Sequence, residues 1–434
     1  MTDPLGSDGR QVLERASRSQ VIASVGRIQV SSNGDWLPPT NVYAANAGER
    51  IRQDNRSVPE STEVQFADYL ASSAFIHSGD AWSYFGGAIN SLMRGDVSTS
   101  VHLAYYAELR AAISLLASEG IVIGNGANFV LDQNGHVIQV TRAGTHDAAW
   151  QYLEAWNQGD RSAELLGEVL RPGNIPLLTW ADEMPSGGIR PVIVSLLDQM
   201  KFDLQHFAED RTRRNAASYH PTRLRVDDFS AADSCRLVSE LWGLVEPDGQ
   251  GSFRVMDDEI LFTLLVKSYV GTTGNKAHGD AWMKWLEASM PSSQLGGALH
   301  SRLKGGEHNE GASLLGALFH GNTVSGLPSE YVASMMVRTL VLMRFATGSA
   351  NLLLRESGLK RAQISPWLEA LAESRGLWAP GENPADVSDL WIDAQEALDS
   401  LVTIPKDNTH TLLKAANAEL LTLGQAERVL VWSC

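Results

Sequence analysis

From about residue 62 the apolar positions of the chain recur three and four apart. "VQFADYLASSAFIH", "AWSYFGGAINSLMRGD" and "SVHLAYYAELRAAISLLASEGI" all keep this spacing, which gathers apolar side chains on one face of a helix. Residues 1–60 lack it. Their "SSNGDWLPPTN" and "RQDNRSVPESTE" are runs of turn formers, predicting a polar arm or a loop-rich cap. In "NFVLDQNGHVIQV" (128–140), β-favouring residues flank Asn134-Gly135, which predicts a short β-hairpin inserted among helices.

Helical spacing resumes at "THDAAWQYLEAWNQ", with Thr145 placed to cap, and gives way to the loop-like 171–191. It returns in "VIVSLLDQMKFDLQHFAEDRTRRNAASYHP", where Pro221 disfavours helical geometry at His220 and so ends the helix there. Further helices are predicted over 230–245, 255–271, 277–289, 328–357, 365–376, 385–402 and 408–420, the 365–376 helix with Ser365 as cap and Pro366 in its first turn. The pattern thus predicts a mainly α chain with a polar segment over 1–60, a helical domain over 61–225 and a second all-helical domain over 226–434.

The 434 residues suffice for two domains, and 44% hydrophobic with 20% charged residues is the composition of a globular protein. The formal charge of −16 argues against coating nucleic acid or an anionic membrane with the whole surface, so a polyanion site has to be local. Two cysteines, Cys235 and Cys434, make neither a disulfide framework nor a thiolate metal site. The opening "MTDPLGSDGRQVLERASRSQ" lacks the apolar core of a secretory leader. The most apolar stretch, 334–354, is interrupted by Arg338 and Arg344 and reads as a buried helix, not a membrane span. A cytoplasmic protein without membrane attachment is expected.

Most candidate sites are weak. "GNG" (124–126) and "GTTGNK" (271–276) lack the spacing of nucleotide loops. His278 with Asp280, and His308 with Glu310, each offer two metal ligands without a third. Thr145, His146 and Asp147 fit helix capping. His102, Tyr105, Tyr106, Glu108 and Arg110 share one helix, and His102, Tyr106 and Arg110 form a stripe at four-residue spacing. That stripe reads as a buried hydrogen-bond network or a pocket wall. A hydrolase built on it would need a nucleophile, and no G-x-S-x-G elbow occurs.

"DRTRRNAASYHP" (210–221) carries more. Arg211, Arg213, Arg214, Arg223 and Arg225 face only Glu209 and Asp210, a basic island in an acidic chain. Arg214, Asn215 and His220 resemble the signature of HEPN nuclease domains, an Arg, a polar residue and a His a few positions on. The resemblance implies a helical bundle over about 62–225 that cleaves RNA without metal or cofactor, as a homodimer pairing two motif-bearing helices. In that chemistry a base activates the ribose 2′-OH, an acid protonates the departing 5′ oxygen, and positive charge stabilises the phosphorane. His220 would be the acid or base, Arg214 the phosphate clamp and Asn215 the orienting group, with Arg211, Arg213, Tyr219 and Arg223 binding substrate.

Six helical positions turn through about 600°, leaving Arg214 and His220 roughly 120° apart, so one helix does not complete the site. The family analogy also suggests bacterial defence or a toxin system as the setting. The alternative is a non-catalytic helical scaffold or interaction subunit of an antiphage complex, binding a protein partner through the acidic 226–434 region.

Overall fold

The computed structural model describes residues 5–124, 126–183, 204–219, 230–247, 253–289, 314–316, 330–384 and 386–434. Short helices α1 (Gly6–Leu13), α2 (Arg18–Val25) and α3 (Ala47–Gln53) precede the long α4 (Glu63–Met93) and α5 (Val97–Ser118). A three-stranded antiparallel sheet follows, β1 (Ile121–Val122), β2 (Phe129–Leu131) and β3 (Val137–Gln139), in that spatial order. Next come α6 (Thr145–Asn157), α7 (Asp160–Val169), α8 (Leu177–Glu183), α9 (Leu204–Tyr219), α10 (Ala231–Leu244), α11 (Arg254–Thr273) and α12 (Gly279–Ser289). The last described helices are α13 (Glu330–Ser357), α14 (Arg361–Ser374), α15 (Asp389–Thr403), α16 (Thr409–Ala415), α17 (Asn417–Leu423) and α18 (Glu427–Ser433).

The fold centres on α4, α5 and α13, which are buried on most of their circumference because small residues let their backbones come close. Ser114 Oγ donates to the Ala74 carbonyl at 2.5 Å, and Trp82 Nε1 donates to Thr347 Oγ1 at 2.9 Å. Gly86 marks the tightest approach: a Cβ there would lie 2.3 Å from the Gly424 carbonyl oxygen, so only glycine lets the turn after α17 rest on α4.

Helices from both sides of residue 225 share this core, since α13 and α18 pack on α4 and α13 also runs along α5. The division into 61–225 and 226–434 therefore describes the order of helices and not two separate cores; 220–229, where the boundary was expected, lie outside the described residues. Residues 5–60 form a cap with three short helices of its own. Val21, Val25, Trp36, Tyr43 and Ile51 are buried in a cluster shared with α4, where Trp36 stacks on Phe75 with centroids 4.3 Å apart and meets Trp367 edge-on.

The hairpin forms as expected, with an additional strand, β1, paired to β2. Its turn differs in detail. Gly135 has a φ of 83° while Asn134 stays at negative φ, and the loop is closed by Asp132 Oδ1, which accepts the Asn134 and His136 N–H groups. Helix boundaries also shift, the one expected from 385 starting at Asp389. α14 starts at Arg361, where Lys360 N–H donates to Gln363 Oε1, so Ser365 and Pro366 fall inside it. The helix expected over 408–420 breaks at Ala416 into α16 and α17.

α13 contains the apolar 334–354 stretch, and its two arginines are buried and paired. Arg338 Nε donates to Glu108 Oε1 at 2.7 Å and Nη2 to Asp210, while Arg344 binds Asp257 through Nε at 2.9 Å and Nη2 at 2.7 Å. No helix among the described residues is long and apolar enough to cross a membrane.

Candidate functional site

α9 carries the Arg-rich stretch across α5 and α6, and its sequence dictates which residues point inward. Phe207, Asp210 and Arg214, spaced three and four apart, share one face. Phe207 is buried and stacks on Trp150 of α6 with centroids 4.0 Å apart. Asp210 is buried against α13, accepting from Tyr331 Oη at 2.8 Å and from Arg338. Arg213 lies 3.8 Å over the Tyr331 ring, and Arg211 pairs with Asp147.

Arg214 enters an aromatic cage on α5. Its guanidinium carbon lies 5.3 Å from the Tyr105 ring centroid and 5.2 Å from that of Tyr106. Nη1 donates to Asn215 Oδ1 at 2.9 Å, and Nη2 donates to Tyr106 Oη at 3.1 Å and to His146 Nε2 at 3.2 Å. Nε is buried without a hydrogen-bond partner among the described residues. None of these partners is a carboxylate, so the positive charge is held by neutral groups.

The contact fixes the state of His146. A guanidinium only donates, so Nε2 must accept, and Nδ1 carries the proton and donates to Tyr105 Oη at 2.9 Å. Burial and the neighbouring Arg214 and Arg211 push its pKa down, with Asp147 opposing, so the ring is neutral at pH 7. His102, whose ring centroid lies 5.0 Å from that of Tyr106, is lowered likewise by burial and by Arg214. Burial pushes the Tyr105 phenol up to about 12, so it stays protonated.

A cleft of about 330 Å³ opens beside the cage between α6 and α9. Trp150 and Phe207 give it an apolar wall, and Arg211, Asn215 and Asp147 a polar one. The cleft thus sets a buried aromatic pair beside the Arg211–Asp147 ion pair and the Asn215 amide.

Three stretches that look separate in the sequence therefore meet: 210–215, the His102–Tyr106 part of the α5 stripe, and His146. The stripe does not continue to Arg110, which turns toward α4 and contacts His77 Nδ1 at 3.0 Å and Asp80 at 3.6 Å. His146 is not a capping residue: Gly144 is the N-cap of α6 and no side chain caps there. The signal was its register with Trp150 and Leu153, which places it on the inward face of α6. His220, Arg223 and Arg225 lie outside the described residues, as do the Tyr219 side chain, His308 and Glu310. Among the described residues no group of three His, Cys, Asp or Glu side chains converges as metal ligands would. No protein-family model, curated protein or solved structure matches this chain.

Proposed function

We propose that the protein is a metal-independent endoribonuclease of HEPN type, with its site where α9 crosses α5 and α6. The observation that carries this reading is the pairing of Arg214, which has no carboxylate partner among the described residues, with a neutral imidazole 3.2 Å away. An RNA phosphate that engages Nη2 of Arg214 replaces His146 as its acceptor. His146 Nε2 is then free to take the 2′-OH proton, while the guanidinium stabilises the charge on the phosphorane. Asn215 holds Arg214 in plane, and Arg211 and Arg213 extend the positive surface. His220, from the same chain or from a second copy in a homodimer, protonates the departing 5′ oxygen.

The test is cleavage of an RNA oligonucleotide in EDTA by homogeneous protein and by Arg214→Ala, His146→Ala and His220→Ala. Each substitution is expected to reduce the rate by about 10²-fold or more. Equal residual cleavage in all four proteins sinks the proposal.

A second reading, a non-catalytic interaction subunit, is favoured by two observations. Both terminal nitrogens of Arg214 are already engaged within the protein. The contacting helices α15 and α17 expose Ile392, Val402 and Leu421 at 50%, 78% and 64% amid acidic side chains. On this reading a protein partner co-purifies and is unaffected by Arg214→Ala.

A further inference from the structure

A second arginine cluster lies on the other face of α13 and shares no residue with the Arg214 cage. Arg171, Arg344, Arg355 and Arg361 line a pocket of about 420 Å³ together with Asn351 and Cys434. Among the described residues no Asp or Glu side chain lines it, in a chain whose acidic residues outnumber its basic ones. Asp257 touches the cluster but is fully committed to Arg344 and to the Arg171 backbone N–H at 2.8 Å, and Glu168, outside the lining, acts on Arg171 from a distance.

The wall that carries Arg171 is held in place from outside the pocket. It is a one-turn 3₁₀ segment, Pro172–Asn174, in which Gly173 and Asn174 take positive φ values of 59° and 68°. Asp257 and Asp258, at the start of α11, each accept a backbone N–H from it, those of Arg171 and Gly173. Two buried carboxylates that do not line the pocket thus fix the loop that presents an arginine to it.

The floor is equally specific. A Cβ on Gly348 would lie 2.3 Å from both Arg344 Nη1 and Val169 Cγ1, so a glycine in mid-helix, ordinarily a cost of about 1 kcal/mol, is what admits the guanidinium here. Nε and Nη2 of Arg344 are spent on Asp257 and the Val169 carbonyl, and Nη1 has no hydrogen-bond partner among the described residues. The side chains of Arg171 and Arg355 likewise form no hydrogen bond or ion pair among the described residues. Burial, and then Arg355, lower the pKa of Arg171, with Arg344 adding to the repulsion and Glu168 and Asp257 opposing it. The Cys434 thiol, pushed up by burial to about 12, adds no negative charge. Asn351 Nδ2 donates to the Ser433 carbonyl at 2.7 Å, which leaves Oδ1 buried and without a donor.

We propose that this pocket binds a small phosphorylated molecule carrying at least two negative charges, held by Arg171, Arg344 and Arg355. Arginine's planar fork suits phosphate oxygens, and three converging guanidiniums call for more charge than one phosphodiester brings. Asn351 Oδ1 would accept from a hydroxyl of the same molecule, which makes a sugar phosphate or nucleotide a better match than a bare phosphate chain.

The experiment is calorimetric titration of the full chain with pyrophosphate and with ADP, at matched chloride concentration. Both are expected to bind, ADP more tightly, and the Arg171→Gln/Arg355→Gln variant is expected to weaken both at least about tenfold. These two side chains are not in the core, so the variant should keep the wild-type unfolding midpoint; Arg355→Lys, which keeps the charge, should retain most of the binding. Absence of binding to the wild type overturns the proposal, as does equal binding by the double variant or binding of an RNA oligonucleotide alone.

Discussion

Arg338 and Arg214 lie on either side of the same stretch of α5, and the protein treats their charges in opposite ways. Arg338 is 3% exposed and lies between Glu108 and Asp210, two carboxylates for one guanidinium. Among the described residues Arg214 meets no carboxylate, only an amide, a phenol, a neutral imidazole and two ring faces. A buried charge must be matched if it is to be tolerated, and Arg338 is matched in excess. The Arg214 charge is left available to a ligand while its position is held by dipoles and π-faces. A balanced arginine ties helices together; an unbalanced one, kept in place by neutral groups, is where an anion can be received.

The comparison can be broken most severely at Arg338. Arg338→Ala would leave Glu108 and Asp210 buried together without a cation, and a loss of about 3–5 kcal/mol in urea unfolding is expected. Restoring neutrality with Arg338→Met, Glu108→Gln and Asp210→Asn should recover most of it, and no recovery would mean that packing and not charge holds the three helices.

The excess of carboxylate has a pH signature. Burial, with Asp210 adding repulsion and Arg338 opposing, pushes Glu108 up to about 7 from an ordinary 4.5. The folded protein therefore binds this proton more tightly than the unfolded chain does. The resulting stability is fully present below about 4.5 and is lost as pH rises through about 7, by at most about 3 kcal/mol. Unfolding midpoints measured between pH 5 and 8 should fall in the wild type and flatten in Glu108→Gln; parallel curves would remove Glu108 from this account.

Arg214→Ala should cost less, about 1–2 kcal/mol, because its partners are neutral and can turn to water. A loss as large as that of Arg338→Ala would make the cage structural. The smallest effect belongs to Arg211, whose ion pair with Asp147 is exposed at 44% and 50%. Arg211→Ala should change stability by less than about 1 kcal/mol, while on the ribonuclease reading it weakens RNA binding and reduces its salt dependence.

Periodicity revealed the helices well where local chemistry and packing agree. α10 was expected over 230–245 and spans Ala231–Leu244, because Ser230 and Asp233 form a capping box that needs no tertiary help. The start of α14 was misplaced, since Ser365-Pro366 is a good local start that the earlier Lys360–Gln363 contact supersedes. The shared core was not legible, because pairing Arg338 with Glu108 and Asp210 joins residues more than a hundred positions apart. The candidate site was legible in pieces. Arg214 and the α5 stripe stood out separately, but their meeting, and the part of His146 in it, depends on how α9 crosses α5 and α6, which no local pattern encodes.

The seat of Gly424 on Gly86 sets a clock on the ribosome. A face of α4 that is bare of side chain waits for a turn made 338 residues later, roughly 17 to 70 seconds of translation at ordinary elongation rates. α13, which covers both α4 and α5, is made more than 200 residues after α5, and α18 follows the Gly424 turn, so the apolar faces of α4 and α5 wait for partners far along the chain. Closure of this core waits on residues far along the chain, and a chain stalled before α17 should be a client for chaperones.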